Sequence, residues 1–411
     1  MTEGPYKLPE GWRWVRLGEV TRVFSGSTAP QDKQYFERGT IPFVRVQDLG
    51  RYGITTSLTE TADKVNERAI RELRLVKASK GTILFPKSGA AILTNSRAIL
   101  GEDAYIVSHL AAVEPLHDVL ETLWAFYWLC TVDMGRYIDN PAYPSLRLSR
   151  IKELLIPLPS LEEQRRIVAR VEELMSWIRE AKRLRQEAKQ EAERLWQSVL
   201  AQTFPKSKTE LPKGWQWVRL GEVANVYAGS PAPQGEQYFR EGKWPFVRVQ
   251  DLGRYGQTTC LKETADYVNE YALQKYRLRL AKAGTILFPK SGAAILTNSR
   301  AILGVDAYIV SHLAAVEPLP DRLDTYWAYF WLCTVDMKEF IDNPSYPSLR
   351  LSEISKLPIP LPPLEEQRRI VEHLQDVQGK IKALKEAQAQ TDAELKRLEQ
   401  AILDKAFRGE L

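Results

Sequence analysis

The sequence predicts an α+β fold in which one mixed module occurs twice, each copy followed by a long helix. Three observations carry this. Adding 203 to the residue number aligns the two halves without a gap, and residues 81–116 match residues 284–319 everywhere except at Glu102/Val305. Each copy holds short apolar runs bounded by turn residues, and each ends in a long stretch rich in Ala, Leu, Glu, Lys, Arg and Gln. A period of this length is far too long for a solenoid repeat, so the unit is a whole module.

The apolar runs are PFVRV, GTILF, AAILT, AYIVSHLAAV and ELLIPLP. Their length and flanking turn residues read as strands. Helical patterns interrupt them around ETADKVNERAIREL and DVLETLWAFYWLCTVDMGRYI. A mostly antiparallel or irregular sheet with segregated helices follows. The expected division is a globular domain over 1–160, a helical spacer over 161–204, a second globular domain over 205–363 and a second spacer over 364–411.

No Gly or Pro falls between residues 161 and 203. Ser160 and Glu163 are spaced as a capping box at the helix start. Apolar Ile167, Val171, Leu174, Ile178, Ala181, Ala188, Ala192, Leu195 and Val199 then recur at steps of mostly 4 and 3, a coiled-coil seam. Ile370, Leu374, Val377, Ile381, Leu384, Leu395, Leu398 and Ile402 repeat it. Each helix, at ~1.5 Å per residue, would be ~60 Å long. The first delivers the chain to the second domain, so a short return makes the pair an antiparallel coiled coil. The expected architecture is two similar globular domains separated by the paired helices, with a pseudo-two-fold axis through their middle. Arg185 and Gln388 interrupt the seams near the midpoints. In an antiparallel pair they would face each other and fix the register.

Composition excludes several classes. The chain is 44% hydrophobic and 27% charged, an ordinary balance for a protein with real cores. Three cysteines, Cys130, Cys260 and Cys333, form no CxxC and no disulfide framework, which points to a reducing, cytoplasmic setting. No apolar window is long enough to span a membrane, and the first residues lack a secretory pattern. Net charge is +5, and its distribution matters more than its size. Residues 64–97 hold eight Lys/Arg against two Glu, and residues 267–300 hold six against one. Each basic block leads into the repeated stretch.

That stretch offers Lys87, Ser88, Asn95 and Arg97, repeated as Lys290, Ser291, Asn298 and Arg300. The nearby VRVQDLGRYG adds Arg45, Gln47, Arg51 and Tyr52, with Arg248, Gln250, Arg254 and Tyr255 as their second copies. Arg suits guanine edges and Asn or Gln adenine edges, while Lys and Ser suit phosphates. The mixture fits double-stranded DNA as a partner, and it also fits other polar partners. Arg45 and Gln47 can equally be solvent-facing strand positions, and Asn95 can hold a turn.

Three further stretches carry a family resemblance. They are SGSTAPQDKQYFERGTIPFVRVQDL with its variant second copy, LSRIKELLIPLPSLEEQRRIV with its twin LSEISKLPIPLPPLEEQRRIV, and the ending AILDKAFRGEL. The chain resembles the specificity (S) subunit of a type I restriction-modification system, over essentially its whole length. The resemblance implies two target recognition domains, each reading half of a bipartite DNA target. It implies two modification (adenine methyltransferase) subunits as partners, docked largely on the helices, with restriction/translocation subunits beyond them.

Catalytic readings find less support. NPAY at Asn140 and NPSY at Asn343 look like the Asn-Pro-Pro-Tyr element of adenine methyltransferases. No glycine-rich cofactor loop follows a strand upstream of either. An Asn-Pro turn closing the preceding helix accounts for both. His109 and His312 correspond across the repeat, without a Gly-x-Ser-x-Gly elbow around Ser108, and read as structural. No Cys/His spacing fits zinc, no acidic loop fits calcium, and no P-loop is present. The expectation is therefore a DNA-reading scaffold with no catalytic residue, cofactor or metal of its own. A catalytic adenine methyltransferase and a bivalent protein adaptor are the alternatives.

Near-identical side chains on near-identical backbones read the same bases. Placed in inverted orientation, they require a palindromic bipartite target. Same-face half-sites would have centres ~34–36 Å apart, within reach of the helices. Thr40/Lys243, Ile41/Trp244 and Ile54/Gln257 are the contrasts that would break the identity.

Overall fold

The structure, a computed structural model, describes residues 4–140, 142–206, 209–254, 260–341, 343 and 345–411. It divides into two compact units. The first comprises residues 1–185 with 389–411, and the second residues 186–388. The long helices therefore do not form separate bodies: each contributes one part to each unit.

In the first unit the strands are β1 (Arg13–Arg16), β2 (Thr21–Ser25), β3 (Ile41–Val44), β4 (Ile54–Leu58), β5 (Asp63–Val65), β6 (Lys77–Ala78), β7 (Ile83–Pro86), β8 (Arg97–Leu100), β9 (Ala104–Ile106), β10 (Leu110–Pro115) and β11 (Leu155–Leu158). The short helices are α1 (Leu17–Val20), α2 (Val46–Tyr52), α3 (Glu67–Leu73), α4 (Thr122–Thr131) and α5 (Leu148–Lys152). A five-stranded sheet runs β2-β10-β7-β8-β4, a four-stranded sheet β5-β3-β9-β6, and β1 pairs with β11. Among these strand pairs β3/β9 and β4/β8 are parallel and the others antiparallel. The second unit repeats all three sheets in the same order.

Residues of alternating strand faces divide between two cores. Ile83, Phe85, Ala111 and Val113 point to one, with α4 and the long helices. Leu84, Ala98, Leu110 and Ala112 point to the other, with the four-stranded sheet. This is the period-2 alternation of strands buried on both faces. In α4, every residue from Trp124 to Cys130 is buried. A helix that is apolar all round belongs inside. Trp124 anchors it, donating Nε1–H to the Pro157 carbonyl at 2.9 Å and meeting Phe407 edge-on at 4.7 Å between ring centroids.

The long helices span Leu161–Thr203 and Leu364–Arg408. They run antiparallel in each unit. In the first, Lys182 pairs with Glu399 at 2.6 Å and Arg185 with Asp392. In the second, Lys385 pairs with Glu193 at 2.8 Å, while Leu200 and Phe204 join Val371 and Leu374 in one core. The seam residues Ile167, Val171 and Ile178 pack on their own globular core together with Ile402 of the other helix. Leu195 and Leu398 are exposed. The seam thus serves two packings, against the globular part and against the partner helix. Arg185, expected opposite Gln388, is paired instead with Asp392, one turn farther along, because a guanidinium gains more from a carboxylate than from an amide. Gln388 falls in the second unit.

The helix start differs in one detail from a full capping box. Ser160 Oγ accepts from Glu163 N–H at 3.3 Å, but the Glu163 carboxylate turns to Arg166 at 2.8 Å. The side chain that ties the start down is Gln164, which is fully buried. Its Oε1 accepts from Glu121 N–H at 2.8 Å, and its Nε2 donates to the Val119 and Pro159 carbonyls at 3.0 Å each. Gln367 makes the same three bonds to Asp324, Arg322 and Pro362. The Gln of LEEQRRIV therefore joins the long helix to the entry of α4 and its second-unit counterpart.

Candidate nucleic-acid interface

The segment VRVQDLGRYG forms α2 rather than a strand. Asp48 Oδ2 accepts from the Arg45 N–H at 2.7 Å and closes the helix start. Gln47, Arg51 and Tyr52 stand on the exposed side of α2, with the Tyr52 hydroxyl donating to Glu60 at 2.9 Å. Arg45 is engaged otherwise. It forms an ion pair with Asp63 and lies over the rings of Phe36 and Phe43. Arg248 repeats this with Asp266, Phe239 and Phe246, and Gln250 is exposed like Gln47. The Arg254 side chain and Tyr255 lie outside the described residues.

Next to α2, AAILT is a 3-10 turn, Ala90–Thr94, not a strand. Gly89 at φ 76° and Asn95 at φ 54° bracket it. Two left-handed positions so close together reverse the chain at both ends and leave no room for an extended run. Residues 87–89 precede the turn and are held from two sides. The Lys87 N–H donates to the His109 carbonyl at 2.9 Å. Ser88 Oγ lies 2.5 Å from His109 Nδ1. On the other side, Gly89 N–H donates to the Pro144 carbonyl at 2.9 Å, and Leu146 N–H to the Lys87 carbonyl at 2.8 Å. The second unit reproduces each bond: Lys290 with His312, Ser291 with His312 at 2.6 Å, Gly292 with Pro347, and Leu349 with Lys290. Lys87, Ser88, Lys290 and Ser291 are partly exposed.

Arg97 and Arg300 do not take the place expected of base-reading arginines. They are 0% and 6% exposed. Arg97 donates from Nη1 to the Ser96 carbonyl at 2.9 Å, and from Nε and Nη2 to the Leu129 and Val132 carbonyls at 3.4 Å each. Asn95 Nδ2 donates to the Cys130 carbonyl at 3.0 Å. The Leu129, Cys130 and Val132 carbonyls lie at the C-terminus of α4, where a helix leaves its last acceptors unsatisfied and carries partial negative charge. Arg300 likewise donates to the Ser299 carbonyl at 2.9 Å and the Val335 carbonyl at 3.4 Å, with Asn298 Oδ1 at 2.7 Å. Both guanidiniums lie over a phenylalanine ring, Phe85 and Phe288. Burial pushes the pKa of each arginine down to about 10. The two arginines are thus buried helix caps, and the partly exposed Asn95 caps the end of α4 beside Arg97.

A sequence profile of the type I restriction modification DNA specificity domain matches residues 9–190 and again 212–392. The chain belongs to this family. The MjaIX specificity subunit of Methanocaldococcus jannaschii is 28% identical over 379 residues, covering 87% of this chain and 84% of that protein. The EcoDI specificity subunit of Escherichia coli is 22% identical, covering 98% and 90%. Among solved structures, a chain from work on complex assembly and conformational transition of the type I R-M system has a TM-score of 0.81 at 31% identity, covering 99% of this chain and 100% of that one. The HsdS subunit of Thermoanaerobacter tengcongensis has a TM-score of 0.59 at 33% identity over the full length of both.

A specificity subunit determines which DNA is recognised, and the enzymatic activities of such systems belong to other subunits. The Asn-Pro-x-Tyr segments accordingly serve as turns: Asn140 Oδ1 accepts from Ala142 N–H and Asn343 Oδ1 from Ser345 N–H, at 2.9 Å each. Among the described residues no cluster of His, Cys, Asp or Glu could hold a metal ion, and no helix is long and apolar enough to cross a membrane. The sequence reading missed the Ser88–His109 contact, whose partners are 21 residues apart. The one available signal was that both members recur at the same offset, as Ser291 and His312.

Proposed function

We propose that each unit reads one half of a bipartite double-stranded DNA target, and that the half-sites carry the same bases on opposite strands. The observation that carries this is the repeated stretch itself. It keeps its residues in both units, and it keeps the bonds that hold them, from Lys87 and Ser88 on His109 to Lys290 and Ser291 on His312. Two equal surfaces have equal preferences. The exposed Gln47, Arg51, Tyr52, Lys87 and Ser88, with Gln250, Lys290 and Ser291, form the contact set. Modification subunits of the adenine methyltransferase kind dock on the long helices, two per chain, and restriction/translocation subunits join them. The relatives' names support the partners.

Salt dependence tests the contact set. Lysines on phosphates each add about one to the slope of log affinity against log salt. Lys87→Ala with Lys290→Ala, assembled with the modification subunits, should reduce that slope by about 2 on target and unrelated duplexes alike. An unchanged slope on both removes these lysines from the interface.

A further inference from the structure

Tyr143 and Tyr346 are 80% and 82% exposed, more than any other large apolar side chain among the described residues. A single exposed aromatic residue is ordinary on a protein surface. These two differ in what lies beneath them. Tyr143 N–H donates to the Asn140 carbonyl at 3.2 Å, the Asn140 side chain closes the same turn, and Pro144 and Leu146 are bonded to Gly89 and Lys87. Ser145 pairs with Ser88 in a short antiparallel bridge. Leu146, at the end of the segment, is buried in the core. The second unit repeats the set: Tyr346 N–H to the Asn343 carbonyl at 3.2 Å, Gly292 to Pro347 at 2.8 Å, Ser291 with Ser348. The bonds that follow each ring tie its backbone to the Lys87 or Lys290 loop while the ring stands in solvent. The ordering cost of using it in a contact is already met by the fold.

We infer that Tyr143 and Tyr346 contact the DNA of the half-site read by their own unit, presented together with Lys87/Ser88 and Lys290/Ser291 on one clamped pair of loops. The inference rests on the DNA-reading function proposed above. It adds an aromatic ring from a second loop to the cations, amides, hydroxyls and Tyr52 ring of the proposed contact set. A tyrosine ring stacks on a base or packs on a sugar where the duplex is bent or opened, and its hydroxyl reaches a phosphate. Continuity with the Lys87 loop favours DNA over a protein partner, because the cation and the ring share one support. Arg147, also exposed, follows Leu146 on the same segment.

The test uses the full chain assembled with its modification subunits, the duplex that the wild type prefers, and a scrambled duplex of equal length. Tyr143→Ala and Tyr346→Ala should each weaken binding to the preferred duplex roughly tenfold, the scale of an aromatic–base contact. The melting temperature should stay that of the wild type, since both rings are outside the fold. The double variant should lose the product of the two factors. Tyr→Phe at both positions separates the modes: retained affinity assigns the contact to the ring, and an equal loss assigns it to the hydroxyl, either supporting a DNA contact. Wild-type affinity for both variants on the preferred duplex overturns the inference while leaving the DNA-reading function intact. So does a loss that shows only as weaker assembly with the modification subunits in the absence of DNA. If the wild type itself fails to distinguish the two duplexes, the functional reading fails first.

Discussion

Replacing Arg97 by alanine should damage the fold and not the DNA code. The side chain is fully buried and supplies three carbonyls, those of Ser96, Leu129 and Val132. Each orphaned buried acceptor costs about 1–2 kcal/mol, the lower part of the usual range because two of the bonds are long. The deleted side chain leaves a cavity worth roughly 2–3 kcal/mol. Against this stands the relief of a desolvated cation. Burial brings the arginine pKa down to about 10, equivalent to about 3 kcal/mol that the variant recovers. The net expectation is a loss of roughly 2–6 kcal/mol, or about 4–24 °C in melting temperature for a body of this size. Thermal unfolding of the full chain, followed by far-ultraviolet circular dichroism, measures it. Specific and non-specific DNA binding should fall together, in step with the unfolded fraction. Arg300→Ala should behave the same way in the second unit. Arg97→Ala with wild-type melting and a selective loss of specific binding would refute the capping role and restore Arg97 as a base reader.

Two further outcomes follow from buried groups. Gln164→Leu removes three bonds to backbone groups at the junction of the long helix with α4, and should cost about 2–4 kcal/mol by urea unfolding; an unchanged midpoint would mean that the junction does not hold the helix start. Cys130 is buried, and desolvation pushes its thiol up to about 12, against which the nearby Arg97 is a weaker influence. Its thiolate is therefore scarce at pH 8, and in the native chain it should react with a thiol reagent far more slowly than the partly exposed Cys260, the difference vanishing in denaturant. Equal native rates at the two sites would contradict that burial.

Much of the architecture was readable because it rests on local composition and period. The Gly- and Pro-free run from residue 161 marks a helix that ends at Thr203, and the short apolar runs around Phe43, Leu84 and Ile156 are strands. The duplicated module was visible in the letters alone. The errors lie where a flanking turn, a cap or a distant element decides a residue's role. AAILT has strand-like composition, but left-handed Gly89 and Asn95 turn the chain at either end. VRVQDLGRYG alternates like a strand until Asp48 closes a helix on the Arg45 backbone. TNSR reads as a DNA-facing set because Asn and Arg are common readers of bases. Its task is set by the end of α4, some 35 residues onward, which no local pattern announces. Gln164 belongs to a motif recognisable as family-like, yet its three bonds were not legible before the fold placed α4 beside it.

The central claim is that two near-equal readers demand two equal half-sites. Sequencing the modified genome of a host that carries this chain with its modification subunits reads the target directly. A bipartite motif whose second half is the reverse complement of the first, with adenines modified in both halves, is the predicted result. Two unrelated half-sites would contradict the account, and would turn attention to Thr40/Lys243 and Ile41/Trp244, where the units differ.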